Sequence, residues 1–367
     1  MKIRAAVTRS KGSAFEIEEL ELDDPKAGEI IVRIVGAGIC HSDLSARDQY
    51  VPLALPAVLG HEGAGIVESV GPDVTKVAPG DHVVLTRMAC GVCHACKRGD
   101  SNVCEKLGVL NAGGPVRADG STGLSKDGEA VNGQFFGQSS FATYAMAHES
   151  NAVKIAPDFD LTLAPAFACG VLTGAGTVIN GLHPSVGSTI AVFGVGGVGL
   201  AAILAARAAG SRIIVAVDRH QNRLDLALEL GATHTILAGE ESVSAAVHAI
   251  VPGGVQFSVE ATGVPSVARA AVESVMPGGE CALLGVGPVE QDVTFNHMQV
   301  ALSGITVRGY PSGLSEPDIL IPQLIDLYEQ GRFPVDRLLT RYDFEQIEEA
   351  VQDAASGAVI KPVLVFD

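Results

Sequence analysis

Residues 189–199 read Thr-Ile-Ala-Val-Phe-Gly-Val-Gly-Gly-Val-Gly, a segment that leaves the backbone few options. An apolar, β-branched run this short predicts a buried strand over Thr189 to Phe193. It ends on Gly194, Gly196, Gly197 and Gly199, with Val195 and Val198 between them. An Ala/Leu stretch from Val198 to Ala209 predicts a helix, and Arg212 to Val217 predicts the next strand. Asp218 ends that strand, 19 residues after Gly199. In a chain with 43 glycines the pattern G-x-G-x-x-G is weak on its own, so it gains its force from the strand before it and the helix after it.

Each part of this unit has a physical use. The glycines permit a tight turn and close approach of a pyrophosphate, and the helix N-terminus offers free N–H groups and a positive dipole end. A carboxylate at Asp218 can accept hydrogen bonds from ribose hydroxyls and repels a 2′-phosphate, which favours NAD over NADP. Arg219, next to it, could instead accommodate that phosphate.

The same texture continues downstream. Arg223 to Leu230 is amphipathic, and strands are predicted at Phe257–Glu260, Glu280–Gly285 and near Ile305–Gly309. Strands alternating with helices indicate a parallel sheet covered on both faces, an α/β fold. Residues 1–160 differ. Ile30 to Val35 and Ala64 to Val70 are short β-branched runs, punctuated at Gly71-Pro72 and Pro79-Gly80-Asp81. Residues 105–140, rich in Gly, Asp and Ser, are read as one long surface loop. The tail predicts a helix over Asp318 to Gly331 and a closing strand over Ala358 to Phe366. A nucleotide-type domain is thus inserted between two parts of a β-rich domain.

Four of the seven cysteines fall within fifteen residues, as Cys90-x-x-Cys93-x-x-Cys96 followed by Cys104. Four thiolates on one short excursion can close a tetrahedral shell around zinc, leaving no open position and therefore a structural role. Zinc is favoured over an iron–sulfur cluster because the fourth cysteine lies far out and no Pro follows it. His94 inside the loop is read as a bystander. Three further candidates are scattered: Cys40 in Cys40-His41-Ser42-Asp43, His61 in Gly60-His61-Glu62, and Cys169 before Gly170. Two Cys and one His would hold zinc with the fourth position open, as a catalytic site requires. Read singly, Cys40 and Cys169 could be buried apolar fillers and His61 a core histidine.

Composition excludes other classes. Forty-two acidic residues against 25 basic ones give a net charge of −17, which repels nucleic acid and anionic lipid and favours solubility. No apolar run reaches the roughly 18 residues of a membrane helix. No signal-peptide pattern is recognised at Met1 to Thr8, so a cytoplasmic location is expected.

The stretch Gly60-His61-Glu62-x-x-Gly65-x5-Gly71-x-x-Val74 resembles the signature of the zinc-containing alcohol dehydrogenases of the medium-chain dehydrogenase/reductase superfamily. The four-cysteine lobe, the glycine turn with Asp218, and Cys169-Gly170-Val171-Leu172-Thr173-Gly174 follow in that family's order. Gln134-Phe135-Phe136 and Phe141-Ala142-Thr143-Tyr144-Ala145 are most similar to its aryl-alcohol (benzyl alcohol) members. The resemblance implies a GroES-like β-rich catalytic domain over 1–170 and 312–367, with the zinc lobe at 90–104. It also implies a Rossmann doubly wound coenzyme domain over 171–311. Two zinc ions per chain and NAD are implied as cofactors, with Cys40, His61 and Cys169 on the catalytic zinc. Glu62 would be a transient ligand, Asp43 a partner of His61, and Ser42 the acceptor of the alcohol proton. Thr173 would contact the nicotinamide, His41 and Lys361 the pyrophosphate, and Arg223 would assist Asp218 at the ribose. Phe135, Phe136 and Leu110 are candidates for an apolar substrate pocket, and Val286 for the cofactor side. Phe135 and Phe136 could equally be core or interface residues. The liver-type relay continues through a His five residues after the first zinc Cys, where this chain has Ser45. The proton must then leave by Ser45, water, His41 or the ribose.

The expected activity is reversible oxidation of a primary aryl or allylic alcohol to its aldehyde, with hydride transfer to NAD. A glutathione-dependent formaldehyde dehydrogenase is the alternative enzyme, and a non-catalytic cofactor-binding relative the alternative of another class. The expected partners are a small apolar alcohol or aldehyde and further copies of the chain. A tetramer is favoured over a dimer, with residues 290–311 as the contact.

Overall fold

The computed structural model describes residues 1–113, 117, 119–239, 242–287 and 291–367. The chain forms two units. One comprises Met1–Cys169, Glu316–Pro322 and Asp336–Asp367, the other Gly170–Ser315 and Gln323–Val335. The first boundary falls one residue before the expected one. The return to the first unit starts at Glu316 rather than 312, and residues 323–335 go with the second unit. The division at the C-terminal side lies inside the helix Pro317–Glu329, next to its internal Pro322.

The second unit is a six-stranded parallel sheet. Its strands run in the order His234–Leu237, Ile213–Asp218, Thr189–Phe193, Val255–Glu260, Val275–Leu283 and Thr306–Gly309. Numbered along the chain this is 3-2-1-4-5-6, the doubly wound order whose switch point lies beside the first strand. Every residue of Thr189–Phe193 is buried, because strands flank it on both sides. The expected glycine geometry is present. Gly194 has φ 86°, a left-handed value that suits glycine, and Gly196 precedes the helix Gly197–Ala208. A Cβ on Gly199 would collide with the Gly194 carbonyl, and one on Gly174 with the Val198 carbonyl. Those two absences let the helix sit tightly on the turn and on the helix Gly170–Gly176.

The first unit pairs a closed five-stranded barrel with a seven-stranded sheet. The barrel strands are Lys2–Thr8, Glu16–Leu22, Gly123–Lys126, Glu129–Asn132 and Ala57–Val58. In the sheet, Glu29–Gly38 is central and pairs with Gly63–Val70, Tyr144–His148 and the closing strand Lys361–Val365. Inward strand residues, including Leu20, Ile30 and Ile34, form one apolar core with Leu59 and Phe141 from the connections.

Residues 105–140 are not one loop. Within them the described residues form a helical turn, Val109–Gly113, and the hairpin Gly123–Lys126/Glu129–Asn132. Asp127 and Gly128, with φ of 51° and 82°, make the two-residue turn. An Asp-Gly pair is the preferred chemistry for such a turn, because both positions need positive φ. Among the described residues no helix is long and apolar enough to cross a membrane.

Candidate active site

Cys40 stands where the strand Glu29–Gly38 gives way to the helix His41–Arg47. Asp43, fully buried in the first turn, closes that N-terminus by accepting the Cys40 N–H at 2.8 Å on Oδ2. Its Oδ1 accepts the Gly60 N–H at 3.1 Å and hydrogen-bonds His61 Nδ1 at 2.9 Å. Gly60, at φ 90°, passes so close to Phe141 that a Cβ would lie 2.6 Å from its backbone nitrogen. One carboxylate therefore fixes the backbone at Cys40, the turn at Gly60 and the imidazole of His61. With Nδ1 occupied, His61 Nε2 is buried and has no hydrogen-bond partner.

The structure brings Cys40, His61, Glu62 and Cys169 together, one ligand atom from each lying within 4.8 Å of the others. Two sulfurs and an imidazole nitrogen suit zinc. A buried nitrogen left without a partner costs about 1–3 kcal/mol, which a metal bond would offset. Pairing with Cys169 holds the Cys40 thiol well below its ordinary range against the opposing effect of burial, and the same pairing pushes Cys169 well above it. Burial opposes a charge on His61, yet the Asp43 carboxylate outweighs it and raises the imidazole well above its usual value. Surroundings that attract a proton to Nε2 attract a cation there equally. The carboxylate–histidine pairing is also the arrangement that orients metal-bound histidines.

Glu62 is fully buried and forms an ion pair with Lys361, whose ammonium also donates to the Ile39 carbonyl at 3.4 Å. Burial raises the Glu62 carboxyl while Lys361 opposes the rise. Lys361 arrives because its strand pairs antiparallel with Glu29–Gly38. Gly38, without a side chain, leaves room for both partners. The structure thus sets Lys361 against Glu62. Ser42 is half-buried, its Oγ 4.0 Å from Cys40 Sγ. His41 is exposed and Ser45 half-buried on the same helix.

The Phe136 ring stacks on His61, centroids 4.5 Å apart, and Phe135 meets both rings edge-on. Phe135 is buried and Phe136 half-buried. Leu110, half-buried, belongs to the turn Val109–Gly113, which packs against Phe135–Gly137. No sequence pattern marks Gln138. Its buried amide donates to the His61 and Thr86 carbonyls at 2.9 and 3.1 Å and accepts the Gly63 N–H at 3.0 Å. It therefore grips the backbone on both sides of Glu62.

The four-cysteine lobe closes as expected. The Cys90–Cys96 and Cys93–Cys104 sulfurs are 3.9 and 4.0 Å apart, and all four lie within 4.8 Å of one another. Tetrahedral zinc with bonds of about 2.3 Å sets sulfurs about 3.8 Å apart. Backbone N–H groups of Cys93, Cys96 and Lys106 donate to the Cys90, Cys93 and Cys104 sulfurs at 3.4–3.5 Å. The Cys96 N–H holds the Cys93 thiol down to about 6, while burial pushes Cys96 up to about 12. His94 is exposed and stands outside the ligand set.

In the second unit, Asp218 Oδ2 accepts the Val195 N–H at 2.8 Å and Oδ1 the His220 N–H at 2.9 Å, so its carboxylate borders the glycine turn. Arg223 approaches Oδ2 to 4.0 Å, and exposed Arg219 turns to His220. A Cβ at Gly196 or Gly197 would meet open space, so the helix N-terminus is accessible to a phosphate group. Thr173 is half-buried in its helix, and Val286 is exposed after the strand Val275–Leu283.

Comparison with known proteins agrees with this geometry. Residues 26–157 match the alcohol dehydrogenase GroES-like domain and residues 197–330 the zinc-binding dehydrogenase domain. The chain is 42% identical to geraniol dehydrogenase of Castellaniella defragrans over 99% of its length and 97% of that protein. The solved structure of an alcohol dehydrogenase zinc-binding domain protein from Burkholderia ambifaria superposes with TM-score 0.98 at 46% identity, covering 100% of this chain and 99% of that one. Benzyl alcohol dehydrogenase from Acinetobacter calcoaceticus superposes with TM-score 0.96 at 40% identity, covering both chains in full. The chain belongs to the zinc-containing alcohol dehydrogenases of the medium-chain dehydrogenase/reductase superfamily, oxidoreductases built from a GroES-like domain and a Rossmann-type parallel sheet.

Proposed function

We propose that this protein oxidises primary aryl or allylic alcohols to aldehydes, reversibly, with NAD as hydride acceptor and two zinc ions per chain. The observation that carries the substrate class is Phe136, half-buried and stacked on His61 at 4.5 Å, which puts an apolar face beside the metal ligands. The similarity to geraniol and benzyl alcohol dehydrogenases supports the same class. When bound, zinc supplies Lewis-acid polarisation of the alcohol oxygen and NAD supplies the hydride acceptor.

The chain's own residues do the rest. Asp43 holds His61 in the tautomer that leaves Nε2 for the metal. Lys361 pairs with Glu62 and limits its access to the metal. Ser42 Oγ, next to Cys40, takes the alcohol proton and passes it toward Ser45, His41, water or the ribose. Preference for NAD is supported by the Asp218 carboxylate at the glycine turn. Assembly into a homo-oligomer, a tetramer in our reading, is supported by Met298 and Leu302, 67% and 81% exposed on the helix His297–Ser303 that precedes the edge strand Thr306–Gly309. We place the protein in the cytoplasm, where thiol ligands stay reduced.

The test is NAD reduction over benzyl, cinnamyl, geranyl and short aliphatic alcohols, with and without glutathione. Turnover of the bulky alcohols without glutathione is expected. Strict dependence on S-hydroxymethylglutathione would overturn the reading and support a formaldehyde-oxidising enzyme.

A further inference from the structure

Phe136 is held in an unusual pose. Its backbone is left-handed at φ 52°, ψ 26°, Gly137 follows at φ 61°, and Ser139 is again positive at 47°. A bulky aromatic rarely adopts that region without support from its surroundings. A buried side chain from a distant strand connection holds the carbonyls of this turn. Asn151, with no exposed surface, donates its amide to the Phe136 and Gly137 carbonyls at 3.2 Å each and to the Thr86 carbonyl at 3.3 Å. Its Oδ1 accepts the His148 N–H at 3.0 Å, so both ends of the amide are used. Gln138 converges on the same Thr86 carbonyl while gripping the backbone on both sides of Glu62. Gly137 is pinned from the other side, where a Cβ would collide with the Met88 sulfur.

We propose that Asn151 is a positioning residue for substrate selectivity. By fixing the Phe136 and Gly137 carbonyls it locks the Phe136 ring against His61, and so fixes the apolar wall that receives an aryl or allylic group. The proposal rests on the reading of Phe136 as a pocket wall. Asn151 itself touches neither metal ligand nor substrate. Its effect falls on discrimination between bulky and small alcohols rather than on the chemical step, because a small alcohol does not use the wall.

The test is a double-mutant cycle on the zinc-loaded enzyme, reading the ratio of kcat/KM for benzyl alcohol over ethanol. Asn151→Leu keeps the size of the side chain and removes its donors. It should lower the ratio about tenfold, mainly through KM for benzyl alcohol, a loss of the size expected for one misfitted apolar contact. Ethanol turnover should stay near the wild-type value. In a Phe136→Ala background the same substitution should change the ratio no further. Equal losses on both alcohols, or the same loss of ratio in both backgrounds, would overturn the proposal. If Asn151→Leu yields no folded protein by thermal melting, Asn151→Ser goes through the same cycle under the same criteria. A Phe136→Ala single variant with an unchanged ratio would sink the pocket reading and this proposal with it. An altered ratio there with no effect of Asn151→Leu would sink the proposal alone.

Discussion

Replacement of Asp43 by Asn tests the site most sharply. The carboxylate is fully buried and serves three donors, the Cys40 and Gly60 N–H groups and His61 Nδ1. An amide offers one oxygen. If that oxygen keeps the Gly60 and His61 bonds, the new NH2 faces the Cys40 N–H, and a buried donor loses its acceptor at about 1–3 kcal/mol. Loss of the negative charge also weakens the imidazole as a ligand, an effect typically of about 10–100-fold in metal affinity or activity. A tenfold change corresponds to about 1.4 kcal/mol, so the two routes agree in size. Asp43→Asn should therefore lower kcat/KM for benzyl alcohol and zinc affinity at this site about 10–100-fold. Asp43→Ala, which strands all three donors, should cost more in both quantities and in melting temperature. Steady-state rates, chelator competition and thermal unfolding check this. An Asn variant within about twofold of wild type in both affinity and kcat/KM would refute the reasoning that one carboxylate organises the site.

Three further outcomes are expected. Cys40→Ser should abolish turnover and leave NAD affinity by calorimetry unchanged, since the glycine turn lies in the other unit; surviving turnover would mean the ligand set is wrong. Asp218→Gly should shift the ratio of NAD to NADP activity toward NADP, because Arg219 and Arg223 remain near the ribose position; an unchanged ratio would remove Asp218 from cofactor choice. Cys104→Ser takes away a thiolate that also accepts the Cys90 and Lys106 N–H groups. Metal analysis should then show one zinc per chain, and the melting temperature should fall by about 5–10 °C.

The second unit was readable because its signals are local. Thr189–Phe193, the glycines and Gly197–Ala208 are contiguous, and each residue's role follows from its neighbours in sequence. The barrel was not, because it depends on pairing across long separations and includes a strand of two residues, Ala57–Val58. The hairpin hidden in 105–140 carried a usable mark, the Asp127-Gly128 pair. Its flanking strands, at four residues each, are too short to show alternation over a surrounding polar stretch. The candidate metal ligands stood out by residue type and order. Gln138 and Asn151 did not, because their partners are backbone N–H and carbonyl groups, which nearly every residue has. The place of Lys361 depends on the register of the final strand against Glu29–Gly38, which no local pattern encodes.

The two cysteine-bearing sites also differ in how much chain must be organised before each exists. Cys90 to Cys104 spans fifteen residues, whereas Cys40, His61 and Cys169 are drawn from a stretch of 130. Closing the longer span requires about 2 kcal/mol more chain entropy than closing the shorter one. It also needs the sheet already in register, since Asp43 reaches His61 only once Gly60 is in place. If each site takes an ion, the lobe should capture its own while the rest of the polypeptide is still searching, and the centre at Cys40, His61 and Cys169 only in the last stage, so that loading of that centre would report completed folding.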